Sequence, residues 1–432
     1  MPLILVAVTL ALGLYLAWNI GANDFANSMG DAVGSRSVSI RLAVALGAVC
    51  ELAGSVLVGS HVTDTVRKGI VAPSLFGSFP ELLVLGMLCA LLGTALWLNI
   101  STWLGMPVST THAIVGSVAG LGVAAIGWSA VDWGRIAGIV VSWFISPVLG
   151  GLMAFLLFKA ITALILAQEK PLARAVRCAP LVVFLVAFLV VFSTLYRSLG
   201  PLLKKVRLMP SDVLAVLAAS AAAGLLAFLS RFFIARYLRD DEDKPLGEQL
   251  RRIERVFAPL VVLTSCSVAF AHGANDVANA VGPVAAIFDV YRSGTVASSA
   301  RVPLWILAFG GLGIVLGLAT FGYRVMNTIG SRITQLTPSR GVAADLATVI
   351  TVLACSLLKL PVSTTHTIVG AIIGVGLARG LEAVDRRVTR DIFGSWLITV
   401  PAAALMTAGL YLLARLLHLQ SFIQQAIPKL VP

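Results

Sequence analysis

Charged side chains are scarce in this 432-residue sequence: Asp, Glu, Lys and Arg together make up 12% of it, against 58% hydrophobic residues. Soluble domains carry about 25% charge, so most of this surface cannot face water. Cysteine is also scarce. The five present (Cys50, Cys89, Cys178, Cys266 and Cys355) are odd in number and form no C-x-x-C, which argues against a disulfide framework or redox motif and for small apolar fillers. The chain has no G-x-x-x-x-G-K-[ST] run, so work done on a solute must draw on an ion gradient unless another subunit supplies nucleotide energy. No basic residue precedes the first apolar run, and further runs follow it. A cleaved signal peptide fits that pattern poorly.

What the chain has is long apolar blocks. Residues 3–18, 42–60, 82–104, 135–158, 180–199, 212–230, 302–321, 342–358 and 391–414 are apolar runs, several of them near the ~20 residues that span a bilayer. The fold class is therefore all-α and polytopic. The net charge of +12 comes from Lys and Arg placed between these blocks, as positive-inside loops are, and does not call for nucleic acid. The richest patch is 231–255, and the loop at about 237–256 is expected in the cytoplasm.

The chain is also written twice. Gly21-Ala-Asn-Asp-Phe-Ala-Asn27 returns as Gly273-Ala-Asn-Asp-Val-Ala-Asn279, and Pro107-Val-Ser-Thr-Thr-His112 as Pro361-Val-Ser-Thr-Thr-His366. Ser142-Trp143 returns as Ser395-Trp396, and all three offsets lie between 252 and 254. A duplication predicts a first repeat over 1–166, linking helices and a loop over 167–256, a second repeat over 257–416 and a tail over 417–432. Seven apolar segments precede the second copy, an odd number, so it is expected to run inverted with the N-terminus outside. The short apolar join at Gly105-Met106 suggests a re-entrant hairpin. The expectation is about 12 transmembrane or re-entrant segments in two inverted repeats with broken helices, a common plan of secondary transporters.

Each motif carries a chemistry. An Asp within lipid is costly unless partnered, and Gly21, Gly273 and the neighbouring Asn residues favour a break in the helix. Freed carbonyls with the oxygens of Asn23, Asp24 and Asn27, and of Asn275, Asp276 and Asn279, would suit a hard cation. Ordinary caps at an interfacial turn would explain one copy but not two. Pro-Val-Ser-Thr-Thr-His opens an apolar helix, with Ser109, Thr110 and Thr111 beside free N–H groups at the positive end of the helix dipole. That is an anion cradle, and Ser363, Thr364 and Thr365 build a second. A plain Ser/Thr cap is the simpler alternative for either copy alone. His112 and His366 lack metal-ligand spacing and are expected to hydrogen-bond the cradles. His272 stands where the first copy has Ile20. Glu51, inside an apolar span, reads as either a coupling residue or a paired structural acid. Aligning Gly54 with Gly313 sets Gly310 opposite it. Lys359 is unmatched and fits snorkelling to the interface better than the anion site.

These paired motifs resemble the inorganic phosphate transporter (Pit) family, over roughly residues 3–416. The resemblance implies cation-coupled symport of inorganic phosphate, no enzymatic activity, no cofactor beyond the coupling ion (sodium, with a proton as the alternative), and a homodimer in the bilayer. Carried over by position, Ser109, Thr110, Thr111, Ser363, Thr364, Thr365, Asn23 and Asn275 would bind phosphate, and Asp24, Asn27, Asp276 and Asn279 the cation. Glu51, His112 and His366 would take part in coupling. Gly310 departs from members with an acid in the second repeat, and the central loop is short. Sulfate or metal–phosphate cargo is the alternative within the family. An oxyanion channel would also use half-helices. An intramembrane hydrolase using Ser109 and His112 would need one asymmetric site where this chain has two copies.

Overall fold

A computed structural model of the chain describes residues 2–59, 70–198, 211–238, 244–296, 302–357 and 362–427. Fourteen α-helices lie among them: α1 (Pro2–Gly34), α2 (Ile40–Val58), α3 (Pro80–Trp103), α4 (Thr110–Ala125), α5 (Trp133–Ile161), α6 (Pro171–Ser198), α7 (Ser211–Leu238), α8 (Leu246–Ser293), α9 (Leu304–Thr320), α10 (Tyr323–Asn327), α11 (Pro338–Leu357), α12 (Thr364–Arg379), α13 (Arg386–Leu416) and α14 (Leu419–Ala426). β-Pairing among the described residues amounts to one bridge between Val71 and Val131. Among the described residues nine helices are long and apolar enough to cross a membrane, and α9 with α10 forms a further candidate bent by 57°. Local chemistry sets several boundaries. Ser39, Asp132 and Asp385 cap α2, α5 and α13 with their side-chain oxygens, and α8 ends on the left-handed Gly294, a conformation without a Cβ penalty for glycine.

The two copies are interleaved. Helix α1 packs on α9 while α8 packs on α2, and α4 packs on α13 while α12 packs on α5. Glycines make these crossings close. A side chain at Gly21 would strike the Ile314 carbonyl, and one at Gly273 the Glu51 carbonyl. Gly116 and Gly120 lie against Val400 and Ala404 as Gly370 and Gly374 lie against Pro147 and Gly151. Small residues four apart are how membrane helices bring backbones together, because lipid supplies no hydrophobic drive for association.

Three sequence expectations change here. The Gly-Ala-Asn-Asp motifs do not break their helices: α1 runs unbroken for 33 residues and α8 for 48. Their glycines serve close packing, so the backbone hydrogen bonds stay within the helix. Residues 246–256, read as loop, form the first turns of α8, with Ile253 buried among the strong helix formers Glu248, Gln249, Leu250, Arg251 and Arg252. The counterpart of Glu51 is Ile314, not Gly310. Gly47 rests on Phe25 and Met29 as Gly310 rests on Val277 and Val281, and Gly54 meets Phe270 and Ala274 as Gly317 meets Trp18 and Ala22. That register puts Glu51 and Ile314 in equivalent places. The helical chain does break between α3 and α4, where Gly105 turns with a φ of 69°. Lys359 and Pro361, in the matching join between α11 and α12, lie outside the described residues, as do 239–243 of the central loop.

Candidate functional site

The unbroken middles of α1 and α8 and the N-termini of α4 and α12 converge on two buried aspartates. Asp24 is 0% exposed and Asp276 2%. Each is reached by threonines of both cradles. Thr365 Oγ1 donates to Asp24 Oδ1 across 3.4 Å, and Thr110 also lies within hydrogen-bonding reach of Asp24. Thr111 Oγ1 donates to Asp276 Oδ1 at 3.4 Å, and Thr364 Oγ1 to Asp276 Oδ2 at 3.4 Å. The asparagines complete the crossing. Asn27 Nδ2 donates to Asp24 Oδ1 at 3.0 Å and to Thr365 Oγ1 at 2.9 Å. Asn279 Nδ2 lies 3.3 Å from Asp276 Oδ1, 3.3 Å from Thr110 Oγ1 and 3.2 Å from Thr111 Oγ1. Asn275 Nδ2 donates to Asp276 Oδ1 at 3.0 Å. Thus Asp24, Asn27, Asp276, Asn279, Asn275 and the four cradle threonines are brought together.

Asn23, Ser109 and Ser363 do other work. Asn23 Nδ2 donates to Thr102 Oγ1 and the Met106 carbonyl, while its Oδ1 accepts from Val108 N at 3.1 Å. All of its polar atoms shape the α3–α4 join. Ser109 and Ser363 accept from the N–H groups of His112 and His366 at 3.3 and 3.2 Å. These are plain N-caps, the simpler reading for those two residues. They leave the N–H groups of Thr110, Thr111, Thr364 and Thr365 without partners inside their own helices, since the first turn of any helix has none. Beyond these backbone bonds, the imidazoles of His112 and His366 do not hydrogen-bond the cradles among the described residues. Their rings meet each other at 4.6 Å, and each lies on a tryptophan, His112 on Trp143 at 4.5 Å and His366 on Trp396 at 3.7 Å. Trp396 Nε1 in turn donates to the Pro107 carbonyl at 3.0 Å. The tryptophans of the repeated Ser-Trp pair thus brace the cradles from behind.

At the centre stands His272, 0% exposed. Its Nε2 lies 2.8 Å from Asp276 Oδ2 and 3.4 Å from Asp24 Oδ2, and its Nδ1 lies 2.7 Å from Glu51 Oε2. Glu51 also accepts from Ser28 Oγ at 3.3 Å. Glu51 is therefore a paired acid joined to the aspartates through one imidazole. One ligand atom each from Asp24, His272 and Asp276 lie within 4.8 Å of one another, the spacing a single cation can bridge. The sequence flagged His272 only as unmatched; its signal was a histidine where the other copy has Ile20, facing a glutamate where the other copy has Ile314. The Asp31 and Asp345 carboxyls, also buried, escaped notice because neither falls in a repeated motif.

The family model described as "Phosphate transporter family" matches residues 20–407. The chain belongs to the phosphate transporter family. Among relatives of this transporter, a Pyrococcus abyssi protein provisionally named a phosphate permease is 46% identical over 94% of this chain and 96% of its own length. Inorganic phosphate transporter 2-1, chloroplastic, of Arabidopsis thaliana is 41% identical over 92% of this chain and 70% of its own. A solved structure described as "The sodium-dependent phosphate transporter" superposes with a TM-score of 0.84 at 40% identity, covering 95% of this chain and 99% of that one. The transporter is thus a multi-pass membrane protein and not an enzyme.

Proposed function

We propose that this transporter carries inorganic phosphate together with sodium, the anion held between the N-termini of α4 and α12 and the cation on Asp24, Asn27, Asp276 and Asn279. The observation that carries the reading is the crossing of the two cradles onto two carboxylates: Thr365 reaches Asp24 and Thr111 reaches Asp276. Helix N-termini supply N–H donors and positive potential for a tetrahedral oxyanion. Carboxylate, amide and hydroxyl oxygens beside it suit sodium, whose charge offsets the repulsion between phosphate and two acids. The ions therefore stabilise each other's binding, and this is the physical basis of symport. The sodium-dependent relative supports sodium over a proton.

The repeats run inverted, the N-terminus lies outside, the central loop is cytoplasmic and two copies of the chain associate; the odd number of segments before the second copy and the family resemblance support this part of the reading. Radiolabelled phosphate uptake into liposomes, with sodium and proton gradients imposed separately, tests the whole. A sodium gradient alone should concentrate phosphate. Uptake driven by a proton gradient and indifferent to sodium would overturn the ion assignment.

A further inference from the structure

A cluster of cations stands at one end of the bundle, outside the candidate site. Lys159 and Arg379 occupy the last turns of α5 and α12. The two helices run level: Gly370 meets Pro147 and Gly374 meets Gly151, and the same offset sets Arg379 beside the Leu156 turn of α5. Lys159 Nζ lies 5.8 Å from the centre of the Phe155 ring, and the Arg340 guanidinium 5.8 Å from that of Phe158. Arg379 is close enough for its charge to act on Arg340.

The helix dipoles account for Lys159 and Arg379, since cations are favoured at a helix C-terminus. They do not account for Arg340. It is the third residue of α11, at the positive end of that helix, and it faces a second positive charge. Its Nη1 donates to the Gln335 carbonyl at 2.9 Å, yet its Nε is buried without a hydrogen-bond partner. The acid whose charge reaches it is Glu254, and both Glu254 oxygens are taken by Ser339, at 2.8 Å each. A guanidinium stays charged at any ordinary pH, and a buried N–H of it left unpaired is costly. The cluster therefore lacks an anion, and guanidinium forks match phosphate oxygens well.

The surroundings select the kind of phosphate. Leu149, Leu152 and Leu156 are exposed on α5, and their spacing puts them on one stripe that ends at Lys159. From Leu149 to Lys159 is about 15 Å along a helix, half of the ~30 Å hydrocarbon core and so one leaflet. A free phosphate would leave this stripe unused, whereas a phospholipid covers it. Basic pockets between membrane helices take anionic headgroups in this way.

We propose that Lys159, Arg340 and Arg379 hold the headgroup phosphate of one anionic phospholipid, with an acyl chain along Leu149, Leu152 and Leu156. Native mass spectrometry of the purified full chain in detergent tests this, because it counts bound lipids and copies of the chain together. Phosphatidylglycerol should bind at least tenfold more tightly than phosphatidylcholine, which carries the same phosphate but no net charge. Arg340→Gln and Arg379→Gln should each weaken phosphatidylglycerol binding at least tenfold. Arg390→Gln, at an exposed arginine paired with Asp391, should leave it unchanged. Thermal unfolding controls for fold, and the exposed Arg379 keeps the test open if Arg340→Gln does not fold. The proposal is overturned if the two lipids bind alike, if Arg390→Gln weakens binding as much as Arg379→Gln, or if neither Arg340 nor Arg379 matters. Displacement of phosphatidylglycerol by inorganic phosphate would overturn it in favour of free phosphate. Loss of a second copy of the chain with lipid binding unchanged would overturn it in favour of a dimer contact.

Discussion

Replacing Thr111 and Thr365 by valine, one at a time, tests whether both cradles hold one anion. Valine keeps the branched shape and removes only the hydroxyl. In the empty protein the loss is small. The Thr365–Asp24 bond spans 3.4 Å, at the weak end of hydrogen-bond geometry. Asn27, deprived of Thr365, still donates to Asp24 at 3.0 Å. About 1 kcal/mol of stability is at stake, the worth of one ordinary net hydrogen bond. In the loaded protein the same hydroxyl turns to a charged ligand, where one hydrogen bond is worth about 1.5–3 kcal/mol. Affinity for phosphate should therefore fall roughly tenfold to over a hundredfold in either variant. Equilibrium binding of radiolabelled phosphate at saturating sodium measures this, with thermal unfolding as the control for fold. Phosphate affinity within twofold of the parent in a folded Thr111→Val or Thr365→Val protein would refute a shared anion. So would an effect confined to one of the two.

Asp24→Asn and Asp276→Asn should each abolish concentrative uptake while the protein remains folded; wild-type uptake and sodium dependence in either would remove them from the cation site. For the Glu51–His272 pair, Glu51→Ile alone leaves Nδ1 of the buried imidazole without its partner at 2.7 Å, while Nε2 keeps Asp276, and should destabilise by about 3–5 kcal/mol. The double change with His272→Ile copies the residues of the other half but also takes Nε2 from Asp276, so it should cost less than the sum of the two single changes without returning to the parent, read as thermal unfolding in detergent. An additive double variant would mean the two residues act independently. Between oxyanions, phosphate retains a P–OH near neutral pH that can donate to a carboxylate, and sulfate has none. Leaving a charged acceptor unpaired costs about 1–3 kcal/mol, so sulfate should compete roughly fivefold to over a hundredfold less well than arsenate in uptake assays. Equal inhibition by the two would move the transporter to sulfate.

Much of this was legible in one sequence because duplication makes chemistry visible. A Ser-Thr-Thr run after proline is an ordinary cap until it recurs at the same spacing beside a recurring Asn-Asp pair. Contacts between the copies were not legible. Gly21 and Gly273 looked like helix breakers because their contact partners, Ile314 and Glu51, lie more than 200 residues away. The register of α2 against α9 was set wrongly by matching glycines along the sequence, and only their packing partners reveal that Ile314 mirrors Glu51. Asp31 and Asp345 carry no repeat signal at all, since an acid meeting an acid across two helices has no local pattern. Asn23 was assigned to a ligand because the motif is symmetric, yet its hydrogen bonds go to the α3–α4 join.

The interleaving of the copies also constrains how the protein is made. Asn27 finds Thr365 only 338 residues further along the chain, and Asp31 finds Asp345 only when α11 has emerged. While the ribosome is still producing the second copy, the first holds unsatisfied carboxylates and amides in a helix meant for the bilayer. Those groups must be sheltered, by water or by the insertion machinery, for most of the synthesis. A chain cut at residue 256 would stay in that condition permanently, with half of the candidate site and without α9, against which α1 packs. Newly made fragments of this kind are natural targets for membrane quality control. A substitution in α12 can therefore act as an assembly defect of α1 before it ever acts on transport.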